Sequence, residues 1–257
     1  MPKKEKSFIA EVRSWQSKNG LHGPHAFLRF VMLVFVDLTN KASDEFVFKG
    51  GNLLWVYIKT PRSTVDIDFA TKNLADHKVV FDHIQKVCDL SQSGKVSFSI
   101  VSFDEVGSHG AGVKIGFETE QGQKNTFDID IVYSVPTVSS GIPSPVGGEG
   151  IVQVATMENI ISDKLATCHR FKSGNTRMKD YDDLWRISKV GNDRVSVTLL
   201  TDLLSERKIS AGVDLDWVTD DMRKMWESHS RRNKGLPKKL DDTLDDINDW
   251  LSSLLTS

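Results

Sequence analysis

From Pro24 to Ala42 the chain is apolar over a helix-compatible length (PHAFLRFVMLVFVDLTNKA), which predicts a buried helix. Residues 45–70 then break into short apolar pieces, cut by Gly50-Gly51 and by Thr60-Pro61-Arg62-Ser63. That rhythm reads as strand, glycine turn, helix or strand, turn, strand. A helix over 76–90 and strands over 96–103, 113–119 and 126–133 complete the pattern. Residues 139–150 (SSGIPSPVGGEG) are dense in Gly, Pro and Ser, the composition of a boundary or a long exposed loop. From Val154 onward the period turns helical, over 156–172, 177–190, 196–206, 215–230 and 239–255. The expected fold class is α+β: an α/β half with N-terminal helices over 1–150, then a helical half over 151–257.

With 257 residues, 39% hydrophobic and 26% charged, the chain can bury a core without disulfide or metal staples. A net charge of −2 gives no global field for nucleic acid or membrane, so any such preference must be local. Two cysteines, Cys88 and Cys168, do not make the dense framework of a small secreted domain, and a reducing cytoplasm is expected. The basic start MPKKEKSFIAEVRSW lacks the apolar stretch and cleavage site of an export signal. The most apolar run, Phe30 to Val36, is far short of the roughly 20 residues that span a bilayer, so no membrane association is expected.

Chemistry concentrates in two alternating segments. In Val65-Asp66-Ile67-Asp68-Phe69 a strand would put both aspartates on one face and the three apolar residues on the other. Phe127-Asp128-Ile129-Asp130-Ile131 repeats the pattern. If the two strands are neighbours, several carboxylates converge, and a divalent metal is the usual answer to such repulsion. The plainer alternative is two amphipathic strands of a sheet with one wet face. Upstream, Phe46-Val47-Phe48-Lys49-Gly50-Gly51-Asn52 runs a hydrophobic strand into a glycine step, where backbone N–H groups can approach phosphate or simply turn.

The helix expected over 156–172 carries an apolar stripe of Met157, Ile160, Ile161, Leu165, Cys168 and Phe171, with Lys164 at its centre. A lysine there needs a carboxylate, a triphosphate or an escape to the surface. In the next helix, Asp180 and Asp183 share a face with Leu184 and Ile187, while Asp182 points the opposite way. Their role is either to serve that lysine or to cap and bridge neighbouring helices.

Taken in order, these pieces resemble the AbiEii/AbiGii-type nucleotidyltransferases, toxins of type IV toxin–antitoxin and abortive-infection systems related to the MenT toxins. The resemblance rests on Lys49-Gly50-Gly51-Asn52, Arg62-Ser63-Thr64-Val65-Asp66-Ile67-Asp68-Phe69, Asp130 in DIDIVYSVP, ENIISDKLA over 158–166, and Arg177-Met178-Lys179-Asp180-Tyr181-Asp182-Asp183-Leu184. Asn52 stands where the family usually has Ser or Thr, and the Glu158 to Lys164 spacing is one residue long, so no role passes to Glu158.

The resemblance implies a polymerase-β-like minimal nucleotidyltransferase mixed sheet with flanking helices, followed by a helical C-terminal bundle. It assigns Gly50, Gly51, Asn52 and Thr64 to the nucleotide, and Asp66 and Asp68 to Mg²⁺, with Mn²⁺ as the alternative ion. Asp130 becomes the third carboxylate, with Asp128 able to replace it. Lys164 would contact the triphosphate, with Asp180 and Asp183 orienting it. The implied substrate is an NTP, the implied acceptor a tRNA-like RNA, and the implied partner an antitoxin. Locally, residues 223–239 carry Arg223, Lys224, Arg231, Arg232, Lys234, Lys238 and Lys239 against Glu227, suited to an RNA backbone, with Trp217 or Trp226 to stack on a base. The rival readings are a D-x-D glycosyltransferase and a catalytically silent RNA- or protein-binding relative. The histidines lack zinc-ligand spacing, and Gly107 to Gly112 reads as a hairpin loop.

Overall fold

The computed structural model describes residues 7–61, 63–148, 150–190 and 192–256. They form two compact units, one from the chain up to Val56 with Ser63–Ala155, the other from 57–62 with the chain from Thr156 onward. The Gly/Pro-rich stretch is therefore not where the chain changes unit. Its first five residues, Ser139–Pro143, form one strand of a hairpin and a turn follows them, and the division falls between Ala155 and Thr156.

In the first unit, α1 (Phe8–Lys18) and α2 (Gly23–Ala42) precede β1 (Phe46–Lys49), α3 (Gly50–Ile58), β2 (Asp66–Thr71) and α4 (His77–Ser91). Strands β3 (Val96–Val106), β4 (Gly110–Thr119), β5 (Lys124–Val132), β6 (Ser139–Pro143) and β7 (Ile151–Ala155) follow. Together they make one mixed sheet of seven strands in the order β3-β4-β5-β2-β1-β7-β6. β2 runs parallel to β5 and antiparallel to β1, and β1 runs parallel to β7.

The alternation read from the sequence holds, with Ile67, Phe69, Phe127, Ile129 and Ile131 all buried. Phe35 of α2 meets Phe98 and Phe127 edge-on, at 5.1 and 5.6 Å between ring centres, which fixes that helix on the apolar face. Val65 departs from the expected pattern: it precedes the first residue of β2 and is 52% exposed. The outer strand β3 is protected along part of its length, because Ser91 and Gln92 of the α4 end bond the N–H and C=O of Phe98.

The second unit is helical: α5 (Met157–Phe171), α6 (Met178–Ser188), α7 (Val197–Arg207), α8 (Asp220–Arg232) and α9 (Leu240–Thr256). Hydroxyl caps start three of them, Thr156, Ser196 and Thr219 each accepting an N–H from three residues ahead. α8 therefore begins at Asp220, not at 215; residues Leu215–Trp217 form a short 3₁₀ turn. Leu240, Leu244, Ile247, Trp250, Leu251 and Leu254 of α9 pack inward as their spacing predicts. The α5 stripe is buried except at its end, where Phe171 is 45% exposed. Among the described residues, no single helix is long and apolar enough to cross a membrane.

Candidate active site

Parallel pairing of β2 with β5 sets Asp66 opposite Asp128 and Asp68 opposite Asp130. All four carboxylates rise from the face opposite the buried Ile67 and Ile129. Neighbours distinguish the two aspartates of β5. Asp128 lies opposite Lys114 of β4, whose ammonium it binds in an exposed ion pair. Asp130 lies opposite Gly112, which has no side chain and no heavy atom within 4 Å of where a Cβ would stand. The pairing partner thus neutralises Asp128 and leaves room beside Asp130.

The glycine step sits directly against this face. Lys49 of β1 is in register with Asp68, and the chain then turns at Gly50 (φ 75°) straight into α3. A Cβ on Gly50 would fall 1.7 Å from Asp68 Oδ2. Glycine is required there twice, by the left-handed backbone and by the carboxylate pressed against it. The first N–H groups of α3 have no partner within the helix and sit at its positive dipole end, an arrangement that can receive phosphate. Gly50→Ala is expected to destabilise the fold by about 1 kcal/mol or more through backbone strain alone. Displacement of Asp68 should also cut activity, and thermal unfolding run beside a nucleotide-transfer assay separates the two effects.

Asn52 departs from its expected place. Its side chain does not face a phosphate: the residue is 1% exposed, Oδ1 accepts from Arg29 Nε (3.1 Å), and Nδ2 donates to the Asp66 carbonyl (2.6 Å). Thr64 is buried, and among the described residues its Oγ1 has no hydrogen-bond partner. Arg62 of the same motif lies outside the described residues.

Asp66, Asp68 and Asp130 offer hard oxygen donors of the kind Mg²⁺ and Mn²⁺ take. Among the described residues no three His, Cys, Asp or Glu side chains close into a ready-made cage. Mg²⁺ seldom needs one, since it binds through one or two carboxylates and completes its shell with water and substrate phosphate. The register pair Asp68 and Asp130 fits that mode.

The second unit carries a separate buried cluster. Lys164 Nζ on α5 lies 2.6 Å from Asp183 Oδ2 and 3.2 Å from Asp180 Oδ1, and Arg177 Nε donates to Asp180 Oδ2 at 2.8 Å. Burial pushes the Asp180 carboxyl up, but the Lys164 ammonium and Arg177 guanidinium outweigh it and hold Asp180 below the ordinary carboxylate range. Asp182 is also fully buried, contrary to the outward direction read from the sequence. α8 covers that side, and Asp182 binds Arg186 and His229 Nε2. Glu158, to which no role was given, accepts the Ser196 N–H at the start of α7. Burial lifts the thiols of Cys88 and Cys168 to about 11 and about 12, so neither is a nucleophile near neutral pH.

The basic stretch is less positive than its sequence. Arg223 is clamped by Asp241 and Asp220, Lys224 by Asp221 and Arg231 by Glu227. What remains is a groove of about 870 Å³ where Arg223, Lys224, Arg231, Asp241, Lys238 and Lys239 meet. Trp226 cannot stack on a base, because it is fully buried with its Nε1 on the Pro237 carbonyl. Trp217 is only partly covered, edge-on to His169 and with the Lys172 ammonium 5.8 Å from its ring centre.

Paired aspartates on adjacent strands, beside a glycine-led helix in a mixed sheet, are suited to nucleotidyl transfer. Residues 36–251 match the family model described as nucleotidyl transferase AbiEii toxin, type IV TA system, and the chain belongs to that family. Its fold is shared with a proposed nucleotidyltransferase from Helicobacter pylori (TM-score 0.54, 16% identity, 89% of this chain and 94% of that one). JHP933 from Helicobacter pylori is similar to the same degree (TM-score 0.53, 15% identity, 89% and 91%). A search of curated proteins finds no match.

Proposed function

We propose that this enzyme uses Mg²⁺ to transfer a nucleoside monophosphate from an NTP to the hydroxyl of an RNA of the tRNA kind. It would act in the cytoplasm as the toxin of a pair with an antitoxin. The observation that carries the reading is the register of Asp68 with Asp130, with Gly50 and the start of α3 against Asp68.

In this scheme the N–H groups at the start of α3, from Gly51 onward, hold phosphate oxygens, and Asp66, Asp68 and Asp130 hold the ion. The bound ion supplies compensation for charge building on the transferring phosphoryl oxygens. Asp130, the most exposed of the three, takes the proton of the attacking hydroxyl. That oxygen bonds to the α-phosphorus as the bond to pyrophosphate breaks. The family resemblance gives Lys164 to the triphosphate, held in position by Asp180 and Asp183.

Incubation with each labelled NTP, Mg²⁺ and total RNA tests the reading, with label on RNA as the expected result. Nucleotide binding without transfer would turn it to a silent relative, and a preference for sugar nucleotides to a glycosyltransferase. For the acceptor, the paired change Lys238→Glu and Lys239→Glu is expected to weaken RNA binding about tenfold or more at low salt and to flatten its salt dependence. Unchanged affinity and salt slope would remove the groove from the acceptor site.

A further inference from the structure

A buried chain of hydrogen bonds, Arg29–Asn52–Asp66, joins the phosphate end at the start of α3 to the carboxylate face at the start of β2. Asn52 is the third residue of α3, where the first unpaired N–H groups of the helix lie. Its Nδ2 reaches the carbonyl of Asp66, the first residue of β2 and one of the ion-holding aspartates. Its Oδ1 is fixed from behind by Arg29 Nε, and the Arg29 guanidinium lies 4.8 Å from the ring centre of Trp55, one helical turn further along α3. Arg29, Asn52 and Trp55 are all buried. A hydroxyl side chain has one oxygen on a short stem; an amide has a donor and an acceptor on opposite sides of one plane. A hydroxyl can also accept and donate, but only from that one oxygen, whereas the amide receives from Arg29 at Oδ1 and gives to the Asp66 carbonyl from Nδ2.

We infer that Asn52 is a positioning residue. It locks the first turn of α3 to the first residue of β2, so that the backbone donors for phosphate and the carboxylates for the ion keep a fixed spacing, with Arg29 setting which way the amide faces. A phosphate-binding serine or threonine at this position would act on the nucleotide directly, whereas this asparagine acts through Asp66. The inference rests on the proposed nucleotidyltransferase reading.

The test compares the parent with Asn52→Ser, Asn52→Asp and Arg29→Lys, all as full chains. The aspartate variant retains an acceptor for Arg29 but removes the donor to Asp66. Mn²⁺ binding is titrated alone and with ATP, GTP, CTP and UTP, and amide hydrogen exchange is followed without ligands. The expected result is faster exchange at 51–53 and 66–68 in Asn52→Ser and Asn52→Asp, with Mn²⁺ affinity down about tenfold and metal-free NTP affinity within about twofold of the parent. In turnover, kcat should fall while KM for NTP holds. If Asn52 instead contacts phosphate, metal-free NTP affinity falls while exchange and Mn²⁺ affinity stay at the parent's values, which overturns the inference and leaves the enzyme reading intact. A parent that binds none of the four NTPs overturns both. A variant that unfolds is judged by Arg29→Lys, which keeps the charge and is expected to show the same exchange pattern in weaker form; parental exchange there also overturns the inference.

Discussion

Asp68→Asn and Asp130→Asn are each expected to lower nucleotidyl transfer by about 10³-fold, whereas Asp128→Asn stays within about twofold of the parent. The contrast follows from strand register. All three aspartates share a sheet face, so alternation along the chain treats them alike. Across the sheet they differ, since Asp128 faces the Lys114 ammonium whereas Asp130 faces Gly112. An exposed ion pair such as Asp128–Lys114 contributes little, so its loss should be silent in both stability and rate. Asparagine preserves shape and removes charge, so the losses at 68 and 130 report the need for an anionic carboxylate, to hold the ion and, at 130, also to take the proton. Single-turnover transfer from a labelled NTP, at saturating Mg²⁺, is the measurement. If Asp128→Asn proves as damaging as Asp130→Asn, the third carboxylate has been assigned to the wrong residue.

Much of this constellation is legible in the sequence because alternation is a local property. The period-two pattern of 65–69 and 127–131 predicts two strands with acidic faces, and the structure has them. What local patterning cannot supply is pairing. That β2 and β5 are parallel neighbours, with Asp68 beside Asp130, depends on which strands meet after the chain has made α4, β3 and β4 between them. The same limit explains Asp182. Helical periodicity places it away from Asp180 and Asp183, but whether that side is wet depends on α8 arriving from later in the chain. The β6–β7 hairpin is hidden for a different reason, because β6 (SSGIP) carries a Gly and a Pro and runs into a Gly/Pro-rich turn, and both strands are only five residues long. Asn52 was misplaced because an amide is equally suited to a phosphate and to a buried carbonyl, and only its neighbours Arg29 and Asp66 decide.

Lys164→Met is expected to cost about 3–5 kcal/mol of stability at pH 7 and to abolish transfer. The side chains of Lys164, Asp180 and Asp183 are 13%, 4% and 1% exposed, so removing the ammonium takes a cation from two carboxylates that water reaches poorly, with Arg177 still on Asp180. The pH dependence separates this from simple loss of packing. In the parent, Asp180 is held below its ordinary value of 3.8, so its contribution is complete above that value and is lost as pH falls through the lowered one. In the variant the Lys164 ammonium no longer lowers Asp180, so burial is opposed by Arg177 alone and less of that contribution remains to be lost. The stability gap between parent and variant should therefore hold steady above the ordinary value of 3.8 and shrink as pH falls below it, measured by urea unfolding at each pH. Adding Asp183→Asn to Lys164→Met removes the stranded charge and should recover most of the stability without recovering transfer. A double variant that regains both would leave the cluster a packing device with no part in the reaction, whereas recovered folding without activity assigns the ammonium to the chemistry.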